Sequence, residues 1–595
     1  MARRPLFELT RELTDVCMGR RPADLVVRGG RLVNVHTREI LDGADIAIAD
    51  GRVAMFGDVG HTVGPQTETI DAGGAYLVPG LIDTHLHVES VMVTVTRFAE
   101  AVLPHGTTTA FIDNHEMANV FGLEGMRWML EEGRELPLKV FLAVPSCVPA
   151  LPGFEDAGAE LGPDEVREAL EWDGVAGLGE MMNMPGVIDG DESIHAEIAA
   201  TLERGKPVTG HWSLAGVRDH RLQAYIAAGI DSCHETTSRE DALAKLRAGM
   251  WVQFREGSTF RDVEALAAVL TEDGVDPRHC LLVTDDVLPE TITADGHMDR
   301  VVRRAVESGI DPLVAIQMAT VNGAEYFGMR HDLGSIAPGR IADILFVEDL
   351  GDFRPHRVLA DGREPGELPS FSYPPEAYRS IRLGRLLAET DFRVEAAGEV
   401  ATVRAIGVAS DRVTTEHLTV ELPVSGGQIR ASVDADVAKL ASIERHGGSG
   451  TVGLGFVHGL GLRRGAVASS IAHDNHNLLV AGMSDDDMLF AVDRLVEVGG
   501  GMVAVAGGEV LGLVELPIAG LMSDRPVAEV ARQTLALEDA YRSLGSTVAN
   551  PTMIFSFLSL GVIPALRLTN RGLVDATTFE LVSPVVSSRS DPAGV

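Results

Sequence analysis

From residue 24 to 78, apolar and polar positions alternate over the short runs DLVVRGG, RLVNVHT, DIAIADGRVAMFG and ETIDAGGAYLVPG. Turn residues such as Asp50-Gly51 and Gly73-Gly74 separate them. A period of two puts one face of a strand inward and the other outward, so the stretch predicts a small β-sandwich. The same texture returns at 333–363, in LGSIAPGRIADILFVEDL and then RVLADGR, which implies one sandwich built from both sides of a larger insert. Within the insert the pattern changes. Apolar runs with little alternation end at His87, Asn114, Ser146, Met182, Trp212, Glu235, Gly257 and Asp286. Helical patterns follow each, at 90–105, 118–136, 163–172, 191–204, 218–228, 238–248, 259–273 and 297–308.

Parallel strands buried on both faces need such continuous apolar runs. Eight strand-then-helix units over about 250 residues predict a TIM barrel. A doubly wound open sheet is the alternative, but no glycine-rich phosphate loop supports it. Beyond residue 375 the strands VRAIGVAS, TTEHLTVEL and TVGLGFVHG precede AVASSIAHDNHNLLVAGM, the acidic helix DDDMLFAVDRLVEVG and the hairpin MVAVAGGEVLGLVELP. The expected fold class is α/β: a (β/α)8 TIM barrel at 79–330, a small composite β-sandwich from 1–78 and 331–370, and a C-terminal α/β domain at 375–595.

Charge narrows the partners. A formal charge of −37 over 595 residues argues against nucleic-acid phosphate or anionic lipid, and for a neutral or cationic small molecule. The four cysteines (Cys17, Cys147, Cys233, Cys280) form no CxxC pair, as in a reducing compartment. Residues 1–21 carry charges throughout and no apolar signal core. The uncharged stretch from Ser543 to Leu566 is broken by Asn550-Pro551, Gly561 and Pro564, and reads as buried core rather than a membrane span. These features predict a cytoplasmic protein.

Candidate chemistry gathers at the strand ends, where a TIM barrel places its active site. In LVPGLIDTHLHVESVM, His85 and His87 lie two apart on one strand and so project to the same side. Proline-glycine, an apolar strand and Asp-x-His-x-His together resemble the first strand of the amidohydrolase superfamily of metal-dependent hydrolases. Glu180 interrupts the apolar fourth strand, His211 ends the fifth, His234 the sixth, and Asp285 and Asp286 the eighth. Singly, each reads as a satisfied polar residue at a strand end. Jointly, three kinds of metal-ligating side chain on five strands predict a binuclear site. His85 and His87 would hold one divalent ion, and His211 and His234 the other. Many relatives bridge the ions with a carboxylated lysine on strand four. This chain has no lysine between Lys139 and Lys206, so the bridge falls to Glu180. Asp285 would touch the first ion and take the proton of a water shared by both.

A closer resemblance rests on GLIDTHLHVESVM, NHEMANVFG, VPSCVPALP, GLGEMMNMPGV, AYIAAGIDSCHETTSREDALAKLRAGM, REGS, TDDVLPETITADGH, GAVASSIAHDNHN and SFLSLGVIPALRLTNRGLVD. These strings, spread from about residue 20 to residue 582, resemble the bacterial adenine deaminase family. The resemblance implies hydrolysis of adenine to hypoxanthine and ammonia by a hydroxide between two divalent ions, with Mn2+ or Fe2+ favoured over Zn2+, in a homo-oligomer, expected as a dimer. Glu89, two residues past His87, is a candidate proton donor to the purine ring, although a helix-start role fits that residue equally. His115, Glu116, Asp286 and His297 become candidates for the substrate pocket. His473, Asp474 and His476 form either a buried polar cluster or a lid over the metals. Asp485-Asp486-Asp487 reads as a solvated helix start.

Three departures from the family pattern stand out. Asp113-Asn114-His115-Glu116 replaces Asp-Pro-His-Glu, Phe154-Glu155-Asp156-Ala157-Gly158 replaces a Glu-Thr-Ser-Gly-like stretch, and Asn475 replaces a serine. They leave room for another aminopurine as substrate. Opening of a cyclic amide, as in hydantoinase-like relatives, is the second reading, and the missing strand-four lysine counts against it. A non-enzymatic scaffold is the third; it would be expected to have lost ligands that this chain keeps.

Overall fold

Gly80 stands where the sandwich hands the chain to the first long parallel strand. A Cβ there would lie 2.1 Å from Thr108 Oγ1 and 2.8 Å from Asp343 Cβ, so only glycine fits. The strand that follows, Leu81–Leu86, is buried at every position. In the computed structural model, which describes residues 3–213, 220–408 and 414–589, it is the edge of a five-stranded parallel sheet. The other members are Thr107–Asp113, Lys139–Val144, Val175–Met181 and Val208–Gly210, in sequence order. Ser232–Cys233, Trp251–Arg255 and Cys280–Val283 form a second parallel sheet of three strands. Single parallel bridges join the two sheets at both seams, Val208 with Ile230 and Leu86 with Asp285. The arrangement is TIM-barrel-like, with helices between successive strands. Two expected elements run partly outside the described residues: the start of the 218–228 helix and the end of VRAIGVAS.

Two mixed sheets flank this unit. One holds Leu25–Arg28, Asp45–Ala49, Arg52–Gly57 and Glu68–Asp71. The other pairs Tyr76–Pro79 with Ile344–Val347, so strands from both sides of the insert share one sheet. Leu25, Val27, Ile46, Leu77, Ile344 and Phe346 fill the common core between the sheets. The opening segment, which reads as merely polar, folds as the helix Leu6–Cys17. Its Leu9, Leu13 and Val16 recur at helical spacing and pack on Val26 and Ala47.

The last third is built on one large mixed sheet that includes Val400–Gly407, Val437–Ile443, Ala466–Ser469, Leu478–Gly482 and the hairpin Gly501–Ala506 with Glu509–Glu515. The acidic helix Asp485–Val498 packs on it, capped by Ser484 accepting from Asp487 N. Its first aspartate is not simply solvated, since Asp485 pairs with the buried Lys439. This part is fused to the barrel mouth. Ser523 accepts from Thr94 N at 3.1 Å and donates to Met92 O at 2.9 Å, and one apolar cluster takes in Leu86, Val91, Ile471, Met522 and Phe557. Pro551–Ser556, within the uncharged stretch, is buried, and no helix among the described residues is long and apolar enough to cross a membrane.

Candidate metal centre

Glu180 sits in the fourth strand because its neighbour has no side chain. A Cβ on Gly179 would lie 2.2 Å from Asp113 Oδ2. With glycine there, that oxygen accepts the Glu180 N–H at 2.8 Å and fixes the strand end. The Glu180 carboxylate then faces two ways. Oε1 lies 3.5 Å from His87 Nε2. Oε2 meets His211 Nδ1 in a short contact and lies 3.2 Å from His234 Nε2.

The second carboxylate comes from the eighth strand. Asp285 has φ 59°, a left-handed conformation that aspartate tolerates better than most residues. There its N–H donates to His85 O at 3.1 Å. Its Oδ1 lies 3.2 Å from His87 Nε2 and 3.6 Å from His85 Nε2. The His85 and His234 rings stack at 3.9 Å. Thus His85, His87, Glu180, His211, His234 and Asp285, drawn from strands one, four, five, six and eight, converge on one volume.

This donor set fits divalent metal. His87 Nδ1 lies 2.8 Å from the Asp113 carbonyl, to which it donates its proton, leaving Nε2 as the ligating atom. His85 Nε2 is buried without a hydrogen-bond partner. Several nitrogen–oxygen separations of 3.2–3.6 Å are long for hydrogen bonds. They are natural for two ligands that each stand about 2.1 Å from a shared ion. Burial, then the adjacent His85 ring, pushes His234 down to about 4, so it is a neutral donor at pH 7. Burial opposes ionisation of Glu180, but His211 and His234 outweigh it and hold the carboxyl well below its usual range.

A second polar cluster borders the first. His115 Nδ1 is 3.5 Å from Glu180 Oε1, and its Nε2 is 3.7 Å from Asp474 Oδ1. Glu116 faces His473 at 3.7 Å and His476 at 3.9 Å. The histidine-rich element of the last third therefore reaches the barrel mouth. Ser90 donates to Asp286 Oδ1 at 2.5 Å and lies 3.4 Å from Glu116 Oε1, which draws Asp286 into the group. Glu89 is fully buried, and its Oε1 accepts Met117 N at 3.2 Å. Burial and neighbouring Glu116 push its carboxyl up to about 7. Glu116 Oε2, Asp474 Oδ2 and His476 Nε2 are buried without hydrogen-bond partners.

His297 is the exception among the pocket candidates. It lies 2.9 Å from Thr107 Oγ1, edge-on to Phe98 and 3.7 Å from Asp83, away from both clusters. It follows a helix break rather than a strand end, and its ring turns into the packing between elements.

Arg255 was not singled out by sequence reading. It donates to Asp285 Oδ2 at 3.0 Å and to Asp262 Oδ2 at 3.0 Å, and it also grips Glu235. An arginine closing the strand WVQFR, and opening the REGS string, was the available signal.

Residues 76–364 match the amidohydrolase family, and residues 412–580 match the adenine deaminase C-terminal domain. An adenine deaminase of Moorella thermoacetica is 54% identical over 590 residues, covering 98% of each chain. One from Clostridium botulinum is 46% identical over 588 residues, again 98% of each. One from Paracoccus denitrificans is 48% identical over 592 residues, 98% of this chain and 99% of its own.

Proposed function

The chain belongs to the adenine deaminase family, and from that premise we propose that it hydrolyses adenine to hypoxanthine and ammonia at the barrel mouth. One observation carries the site assignment: Glu180 presents one oxygen toward His87 and the other toward His211 and His234. A bridging carboxylate requires that disposition. In this reading His85, His87 and Asp285 would hold one divalent ion, His211 and His234 the other, and Glu180 would serve both. Manganese or iron is preferred to zinc, following the family resemblance. Such ions make water acidic enough to supply hydroxide at neutral pH.

The chain's own groups do the rest. Asp285, anchored through Oδ2 by Arg255, directs Oδ1 toward His85 and His87, where it would also accept the proton of the attacking water. Glu89, protonated, donates to ring N1, so that negative charge does not build on the purine as oxygen bonds to C6. Asp285 then returns its proton to the exocyclic amine, the C6–N bond breaks and ammonia leaves, and the proton left on the C6 hydroxyl is given up as the carbonyl forms, replacing the one that Glu89 donated. Glu116, Asp286, His115, His473, Asp474 and His476 line the pocket and supply the polar edge a purine needs. His297 supports the barrel wall instead.

The eight strands are read as one closed (β/α)8 barrel, with the sandwich, barrel and last domain divided as the sequence suggests. The protein is further taken to act in the cytoplasm as a homodimer, on a free base rather than on nucleic acid. Opening of a cyclic amide is not favoured. The test is ammonia release from adenine, adenosine, cytosine and dihydropyrimidines by manganese-loaded enzyme, with 18O-labelled solvent. We expect turnover of adenine with label at C6 of hypoxanthine. Intact adenine alongside an opened cyclic amide would overturn the assignment.

A further inference from the structure

The seam between the fifth and sixth strands is weakly paired. Among the described residues a single bridge, Val208 with Ile230, joins the two sheets there. Yet this seam separates His211 from His234, which must face one another to share a ligand. Something other than a β-ladder has to fix their spacing.

Lys245 occupies that position. It lies in the helix Arg239–Arg247, and its side chain is 0% exposed. Its Nζ donates to Trp212 O at 3.2 Å, Glu235 O at 3.1 Å, Thr236 Oγ1 at 3.0 Å and Asp241 Oδ2 at 2.7 Å, and it lies 3.3 Å from Cys233 Sγ. Trp212 directly follows His211, while Cys233 and Glu235 flank His234. One ammonium thus grips the backbone beside both histidines. An ammonium has three protons, so five acceptors around it must share them, and the charge is offset by Asp241 together with the carbonyl dipoles of Trp212 and Glu235. A similar strap ties the fifth strand to the fourth within the larger sheet. Tyr225 Oη accepts the His211 N–H at 3.0 Å and donates to Met181 O at 2.6 Å, which ties His211 to the residue after Glu180.

We propose that Lys245 is a positioning residue that holds His211 and His234 in register across this weakly paired seam. Its contacts to backbone carbonyls mark it as a cationic strap rather than a metal ligand. The proposal rests on the reading that these two histidines bind one ion.

The experiment is metal titration of the apo form of full-length Lys245→Met, beside wild type and two references. His234→Ala tests the underlying reading. Lys139→Met removes another buried lysine, which pairs with Asp343 and with Asp361 at the opposite end of the third strand; it reports what lost stability alone does. With Mn2+ as probe, Lys245→Met should bind the weaker ion about tenfold or more less tightly, the loss typical when a partner of a ligand is removed. Saturating Mn2+ should recover much of kcat, and Lys139→Met should keep wild-type affinity. Wild-type affinity in Lys245→Met overturns the proposal. Affinity lost equally in Lys139→Met reduces the effect to stability and overturns it too. If His234→Ala binds Mn2+ like wild type, the site assignment itself fails. Should Lys245→Met not fold, Asp241→Asn, which keeps the lysine but removes its partly exposed counter-charge, carries the test, with about threefold weaker binding expected; unchanged affinity there also counts against the strap.

Discussion

Asn475 and Glu155, 320 residues apart, are joined by a hydrogen bond in which Asn475 Nδ2 donates to Glu155 Oε2 at 2.8 Å. Asn475 and the stretch 154–158 are both expected departures from the family pattern, and the fold brings them together. Glu155 Oε1 accepts Leu151 N at 2.9 Å, so the loop after the third strand is tied to the element carrying His473, Asp474 and His476. Around it, Asp156 accepts from Asn570 at 2.6 Å, Thr569 donates to Phe154 O at 2.6 Å, and Asn477 donates to Asp156 O at 2.8 Å.

This pair makes a reciprocal test. Asn475→Asp would set two carboxylates face to face and should lower kcat about tenfold at pH 8, the equivalent of about 1.4 kcal/mol. Adding Glu155→Gln restores a donor and should bring kcat back to within about threefold of wild type. A double variant as slow as the single one would separate the pair from positioning of the histidine-rich element.

Glu180→Gln keeps the shape of the side chain and removes the charge that would offset two cations. Elemental analysis after dialysis should find fewer than two ions per chain, and ammonia release should fall by about 10²-fold or more. Unchanged metal content and rate would remove Glu180 from the bridge.

Asp285→Asn retains the contact with Arg255 through its amide oxygen but can neither take nor return a proton. The kcat for adenine should drop by roughly 10²–10⁴-fold, with most of the metal retained. A near-normal rate would move the acid–base role to another group, Glu89 first.

His446 gives a pH signature remote from the reacting atoms. Burial, then neighbouring Arg445, pushes it down to about 3, and its Nε2 lies 2.9 Å from Asn475 O. The folded-state value is depressed, so the stability it contributes is complete above the unfolded value of about 6.5. It is lost as pH falls from there toward about 3. Calorimetry should therefore find Tm of wild type falling faster between pH 6.5 and 4 than Tm of His446→Gln, whose amide can donate to the same carbonyl without titrating. Parallel curves would mean that His446 is not buried in its neutral form.

The amino-acid pattern alone determined where the barrel strands lie, with each end one to three residues earlier than expected. The first strand ends at Leu86, one residue before the expected His87, and the fourth ends at Met181, one residue before Met182. That much is local, because a parallel strand covered on both faces must be apolar along its length and polar only where it leaves the sheet. The opening helix was equally local in Leu9, Leu13 and Val16, and went unread behind its charges. Which strand ends face each other is not local. The two orientations of Glu180, the stacking of His85 on His234, the withdrawal of His297, and the grips of Arg255 on Asp285 and of Lys245 on Trp212 and Glu235 join residues on different strands and helices. Only the curling of the two parallel sheets into a common mouth brings them within contact, and periodicity along a single strand carries no record of that closure.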